Sequence, residues 1–97
     1  MVSILLPFRN ATPTLDAAIR SMAEQSFREW GLLLINNASS DESVFIAHEW
    51  SCRDPRIKVI EEPTIGIAHA LNTGLKHATT PLIARMDADD IAHPERL

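Results

Sequence analysis

The sequence predicts a Rossmann-like, doubly wound α/β domain: a mainly parallel sheet of about four strands with helices on both faces. Three observations carry that expectation. Short apolar runs alternate along the chain with stretches whose apolar residues recur at helical spacing. The runs are apolar at consecutive positions, as in parallel strands covered on both faces. Finally, the alternation has no repeat, low-complexity stretch or linker in it, and it is the order that right-handed parallel crossovers require.

In chain order, Val2 to Leu6 is the first strand, closed by Pro7, and Phe8-Arg9-Asn10-Ala11 is the loop behind it. Thr12-Pro13 predicts a helix start, with Thr12 as N-cap and Pro13 at the first helical position. Leu15, Ala18, Ile19 and Met22 mark its buried stripe, and it is expected to end near Ser26. Leu32 to Ile35 is the second strand, running into the polar loop Asn36 to Asp41. Ser39 with Glu42 three residues later fits a capping box, opening a helix through about Ser51. Ile46, Ala47 and Trp50 are its expected inward set, with Phe45 off that stripe. Asp54-Pro55 breaks the chain before a third strand, Ile57 to Ile60, and the turn Glu61 to Thr64. Ile65 to Ala78 is the third helix, with Ala68, Leu71, Leu75 and Ala78 on one side. Gly74 inside it costs about 1 kcal/mol against Ala, so it marks either close packing or a boundary. Thr79-Thr80-Pro81 ends that helix, and Leu82 to Met86 is the fourth strand.

Ninety-seven residues, 45% of them apolar, make one globular domain and no disordered chain. The net charge of -4 is spread along the sequence and leaves no basic stripe for nucleic acid. Cys52 is the only cysteine, which excludes an internal disulfide and a cysteine-based zinc site. The opening residues carry no charged leader and only a brief apolar run, so neither a signal peptide nor a transmembrane segment is expected. The expected location is cytoplasmic, including the cytoplasmic membrane face in a longer parent protein. Asn10-Ala11-Thr12 and Asn37-Ala38-Ser39 fit the glycosylation pattern by chance under that expectation. His48, His69, His77 and His93 lack metal-ligand spacing, and Trp30 and Trp50 are expected in packing.

The chemistry concentrates where the fourth strand ends, in Asp87-Ala88-Asp89-Asp90. Carboxylates so close together repel unless water, a cation or donor groups offset the charge. Asp87 and Asp89 are two apart, which turns both side chains to one face of an extended backbone. Two hard oxygen ligands suit Mg²⁺ or Mn²⁺, with water and substrate phosphate completing the shell. An Asp-x-Asp is common by chance, and a solvated acidic turn is the ordinary alternative, so the surroundings have to carry the assignment. In a doubly wound sheet the loops Phe8 to Ala11, Asn36 to Ser40 and Asp87 to Asp90 share the carboxyl edge, where ligands bind. A dinucleotide-binding domain needs a glycine-rich first turn, and Pro7-Phe8-Arg9-Asn10 has no glycine. A P-loop is absent as well.

The ordered set Val2 to Pro7 with Asn10, Gln25-Ser26-Phe27, Asn36 to Asp41 and Asp54 to Ile57 extends over the first half of the chain. It continues through Gly66, Asn72 to Leu75, Ala84 to Ile91 and Pro94 to Leu97. In order and spacing it resembles the nucleotide-sugar-binding half of a family 2 glycosyltransferase with the GT-A fold, over essentially residues 1–97. The resemblance implies transfer of a sugar, usually with inversion, from a nucleoside-diphosphate-sugar to an unknown saccharide or lipid-linked acceptor. It implies that Asp89, with Asp87, holds Mn²⁺ or Mg²⁺, and that Asp87 lies against the ribose or donor sugar. Asp90 and Ala88 fall beside the sugar, Asp90 being equally suited to cap the next helix. Pro7, Phe8 and Arg9 match the loop that lines the nucleoside, largely through backbone. The family's catalytic base and acceptor half lie beyond residue 97, so this chain alone is expected to bind donor and transfer nothing.

Two departures from the family pattern stand out. The family usually carries an acidic pair after the second strand, the second acid reading the uracil imide, where Asn36 and Asn37 stand here. Asn37 can still accept from an imide N–H and donate to a carbonyl, which keeps a UDP-linked donor in view. The family's frequent Arg ahead of the third-helix Asn is Leu71 here. Arg85, within an apolar strand, is expected to pair with a neighbouring acid or emerge at a sheet edge. The alternative reading is a non-catalytic nucleotide-sugar or partner-binding module of the same fold. A nucleotidyltransferase would need a glycine-rich, Arg-bearing first loop, which is missing. Self-association through an exposed apolar edge is a further expectation.

Overall fold

The computed structural model describes residues 2–25, 29–78, 80 and 82–88. Their elements are β1 (Val2–Phe8), α1 (Leu15–Ala23), β2 (Trp30–Asn36), α2 (Ser43–Arg53), β3 (Ile57–Glu61), α3 (Ile67–His77) and β4 (Leu82–Arg85). All four strands pair in parallel, in the order β3-β2-β1-β4. The expected fold class is therefore the observed one. The chain steps outward from β1 through β2 to β3 and then returns across both to β4. With right-handed crossovers, that reversal moves α3 to the face opposite α1 and α2. The strand order reverses between β1 and β4, which is where an open α/β sheet leaves its crevice.

Side-chain alternation builds a core on each face. Ile4, Leu6, Phe8, Leu32 and Leu34 meet Leu15, Ala18, Ile19 and Met22 of α1 and Ala47 of α2. Leu5, Leu33 and Ile35 point the other way and meet Ala70 of α3. The α1 stripe is the one expected from spacing. Trp30 is fully buried with the Arg56 guanidinium 3.8 Å over its ring, and Asp54 grips that guanidinium by a two-pronged pair. Trp50 is half-buried and joins the two helices, its indole N–H donating to Asp16 of α1 at 2.9 Å.

Helix starts differ from expectation because tertiary partners outbid local caps. Thr12 does not cap α1: its backbone N–H and hydroxyl both donate to Asp41, and the helix opens at Leu15 behind Thr14. The Ser39–Glu42 capping box does not form either. Ser39 accepts from the Asn10 N–H instead, and α2 opens later, with its Ser43 N–H donating to Asp41. The expected end of α1 near Ser26 lies outside the described residues.

The buried side of α3 is rotated from the expected one. Ala70 and Gly74 are buried and Leu71 and Ala78 half-buried, whereas Ala68 is exposed and Leu75 is 50% exposed. The cause is Gly74. A Cβ there would lie 3.0 Å from a methyl of Ile35 and 3.1 Å from one of Leu5, so the helix axis approaches β1 and β2 along its smallest residues. Of its two expected roles, Gly74 fills the close-packing one.

Pro7 does not close β1 but lies inside it, paired with Ile35. Along β1, Val2 donates and Phe8 accepts towards β2, while Leu5 accepts towards β4 from the Met86 N–H at 3.0 Å. By that alternation the next rung towards β4 needs the N–H that proline lacks. The β1–β4 ladder ends there, and the chain at Asp87 is released from the sheet at its carboxyl edge. Among the described residues, β4 exposes Leu82 (61%) and Ile83 (45%) on its two faces.

Candidate functional site

Register and alternation place the expected site residues. The β1–β4 pairing runs to Leu5 opposite Arg85, so its extension sets Asp87 level with Pro7. The β1–β2 pairing runs to Phe8 opposite Asn36, and Asn37 donates its backbone N–H to the Phe8 carbonyl at 2.8 Å. Asn37, Pro7 and Asp87 share the parity of Ile35, Leu5 and Arg85. All three therefore project on the α3 side of the carboxyl edge, from the adjacent strands β2, β1 and β4. Asp89 and Asp90 lie outside the described residues, as does His93.

A cavity of about 270 Å³ opens on that side, lined by Pro7, Phe8, Arg9, Asn37 and the segment Ile65 to Ile67. Its size suits a nucleobase better than a whole nucleotide. Phe8 contributes backbone only, because its ring is 2% exposed and packed in the α1-side core. Arg9 is exposed at the rim. Ala88 packs its methyl against the same core as Phe8. A larger cavity, about 600 Å³, lies near the amino ends of the strands beside the last turn of α3, away from these residues.

Asn37 is committed more heavily than its sequence position indicates. Its amide nitrogen donates to the carbonyls of Glu62 (3.1 Å) and Thr64 (2.8 Å), and its Oδ1 accepts from the Gly66 N–H at 3.0 Å. With both amide hydrogens spent, the donation to a base carbonyl expected of it has no hydrogen left, and only an acceptor lone pair remains. Its first role is to build the cavity wall. Glu62 completes that wall by accepting from the Thr64 N–H at 2.9 Å and from the Thr73 hydroxyl of α3. The Thr73 bond is the chief reason the Glu62 carboxyl is held below its ordinary value. Asn36 likewise serves structure, donating to Glu61 at 2.7 Å and accepting from the Ser39 N–H.

A second set of residues escaped sequence reasoning. Asn10 sits at φ 51°, a left-handed conformation that Asn tolerates, and its Oδ1 accepts from the backbone N–H groups of Ser40 and Asp41. The Ala11 N–H donates to the Ser43 hydroxyl at 2.7 Å. Asp41 accepts from the hydroxyls and backbone N–H groups of both Ser43 and Thr12. Those bonds, the Ser43 hydroxyl first and the Thr12 hydroxyl second, hold its carboxyl well below the usual carboxylate range. The clasp fixes the loop after β1 to the loop after β2 and so fixes the cavity floor. Its partners are 29 to 32 residues apart, beyond the reach of any local sequence pattern.

Arg85 is paired as expected: Nε (3.1 Å) and Nη2 (2.9 Å) both donate to Oδ1 of Asp87. Among the described residues no three His, Cys, Asp or Glu side chains converge, and no helix is long and apolar enough to cross a membrane. Asp87, a carboxylate at the crevice mouth, is a donor that fits a hard divalent cation.

A parallel sheet whose order reverses at a crevice, with a base-sized cavity and a carboxylate on its α3 side, is the frame of a nucleotide-binding open α/β domain. The model of glycosyl transferase family 2 matches residues 3–97, and the chain belongs to that family. It is 42% identical, over 94% of its length and 36% of the relative's, to the UDP-Glc:alpha-D-GlcNAc-diphosphoundecaprenol beta-1,3-glucosyltransferase WfgD of Escherichia coli. The mannosyltransferase PcManGT of Pyrobaculum calidifontis, solved with GDP-Man and Mn²⁺, superposes with a TM-score of 0.87 at 29% identity, over 98% of this chain and 29% of that one. For the fold alone, S. aureus TarS residues 1–349 with UDP gives 0.89 at 23% identity, over 97% and 29% of the two chains. The chain spans about a third of the length of the curated relatives it matches.

Proposed function

We propose that these residues form the donor-binding half of an inverting glycosyltransferase that takes a sugar from a nucleoside-diphosphate-sugar. The observation that carries this is the projection of Asn37, Pro7 and Asp87 to one side of three adjacent strands. Two strand spacings, about 10 Å, separate the Asn37 strand from the Asp87 strand, which suits a base at one end and a diphosphate at the other. Arg9 and the wall from Glu62 to Gly66 close around the base, and the Asn10–Asp41 clasp holds their loop rigid. Family membership supports the reaction, and the ligands solved with PcManGT support the donor class and the metal. Asp87, with Asp89 beyond the described residues, would hold Mn²⁺ or Mg²⁺. When bound, that cation offsets the negative charge developing on the leaving diphosphate. Asp90 and the Ala88 backbone fall to the sugar side. These 97 residues are expected to bind donor without turnover.

Calorimetric titration of the chain with UDP and GDP, each with and without Mn²⁺, tests the proposal. Binding that needs the metal and is lost in Asp87→Asn and Asp89→Asn is the expected result. Equal binding with and without metal, or none, refutes it. Binding without sugar transfer by the longer parent would favour the non-catalytic module.

A further inference from the structure

Resting on the donor-site reading above, we propose that Arg85 couples cation binding to nucleotide binding by moving from Asp87 to the diphosphate. The geometry begins with strand alternation: Ile83, Arg85 and Asp87 lie on the α3 side of β4, whereas Ala84, Met86 and Ala88 pack into the opposite core. α3 packs over β1 and β2, and on this side of β4 the Ile83 side chain is 45% exposed. Arg85 therefore stands on the α3 face of β4, next to the path from the base cavity to Asp87. Its guanidinium grips the Asp87 carboxylate through two nitrogens, and both side chains are 51% exposed.

Two cations now compete for one carboxylate. A bare divalent ion approaching Asp87 meets the positive charge of Arg85 within a few ångströms and is opposed by it. A free nucleoside diphosphate carries more negative charge than one divalent ion neutralises, so its metal complex arrives as an anion. A sugar donor's complex is neutral overall and still presents its phosphate oxygens to the guanidinium. Arg85 then attracts what it had repelled. The guanidinium fork matches a phosphate as well as it matches a carboxylate, so it can release Asp87 to the metal and turn to the phosphate oxygens. The charge of Arg85 makes the site prefer the assembled complex over the free ion.

The experiment compares the full chain with Arg85→Ala and Arg85→Lys. Manganese paramagnetic resonance measures the free ion, and calorimetry measures UDP and GDP at saturating Mn²⁺. A thermal melt confirms that the variants fold, which the exposure of the pair leads us to expect. Arg85→Ala should bind Mn²⁺ alone about three- to tenfold more tightly, because a screened neighbouring charge is gone. The same variant should bind the nucleotide about tenfold more weakly at saturating metal, through loss of a charge-assisted fork. Arg85→Lys, which keeps the charge but not the fork, should leave bare Mn²⁺ near the parent value and still weaken the nucleotide. Opposite movement of the two affinities in Arg85→Ala is the signature; an Arg that merely orients Asp87 would lower both. Movement in the same direction, or none, overturns the coupling role while leaving the donor site standing. Failure of the unmodified chain to bind Mn²⁺ and both nucleotides overturns the coupling role and the donor-site reading together.

Discussion

Replacing Asn37 by the acid that the family usually carries should weaken this chain, even though it brings the sequence closer to its relatives. The side-chain amide donates to the carbonyls of Glu62 and Thr64, and the residue is only 5% exposed. In Asn37→Asp both carbonyls lose a donor and face a carboxylate instead. Each forfeited hydrogen bond with its stranded carbonyl costs about 1–2 kcal/mol, for a total of about 2–4 kcal/mol at neutral pH. For a domain of this size that corresponds to a fall in melting temperature of about 10–20 °C. The bond from the Gly66 N–H survives, since a carboxylate still accepts. The sign with pH follows from the same geometry. The protonated acid donates to one carbonyl and the ionised one to neither, so the folded state raises the new group's pKa above its unfolded value. Relative to the parent, the variant's deficit is then smallest below about pH 4, the unfolded carboxylate value, and grows as pH rises through the folded one. Urea unfolding of both proteins at pH 4 and 7, followed by circular dichroism, measures this. A variant within about 0.5 kcal/mol of the parent at both pH values would show that the amide does not hold the loop, and the account of the cavity wall would fail.

Other expectations follow from the same structure. Asp41→Asn should lower the melting temperature at neutral pH, and the gap to the parent should close on acidification. The folded Asp41 carboxyl is depressed, so its contribution is full above the unfolded value and is lost as pH falls through the folded one; a gap that widens in acid would refute the clasp. Gly74→Ala gains about 1 kcal/mol of helix propensity but overpacks Leu5 and Ile35 by about 1–3 kcal/mol, so a net loss near 1 kcal/mol is expected in urea unfolding. Adding Leu5→Val should recover part of that loss, and plain additivity of the two changes would count against it. Ala38 adopts φ 60°, so Ala38→Gly should be stabilising by about 0.5 kcal/mol, and a loss above about 1 kcal/mol would contradict the strain. Self-association of the chain, if it runs through Leu82 and Ile83 on the β4 edge, should disappear in Ile83→Lys by light scattering.

The alternation of elements, the parallel sheet and the exit of β1, β2 and β4 at one edge were legible from residue order alone. Those features depend on local periodicity and on the handedness of crossovers, and both are written in neighbouring residues. The α1 stripe was legible for the same reason, and so was the pairing of Arg85, since a charge inside an apolar run must find a partner within reach. Tertiary structure decided where helices begin, which side of α3 is buried, and what Asn37 does with its amide. Thr12, Ser39 and Asn37 each have a plausible local use, and each is claimed by a partner 25 to 29 residues away. No spacing rule sees that competition, because a hydrogen bond made across loops outweighs a cap made along one. The length of the β1–β4 ladder lies between the two: proline at position 7 is plain in the sequence, but only the register shows that its missing N–H is the rung that would have held Asp87 to the sheet.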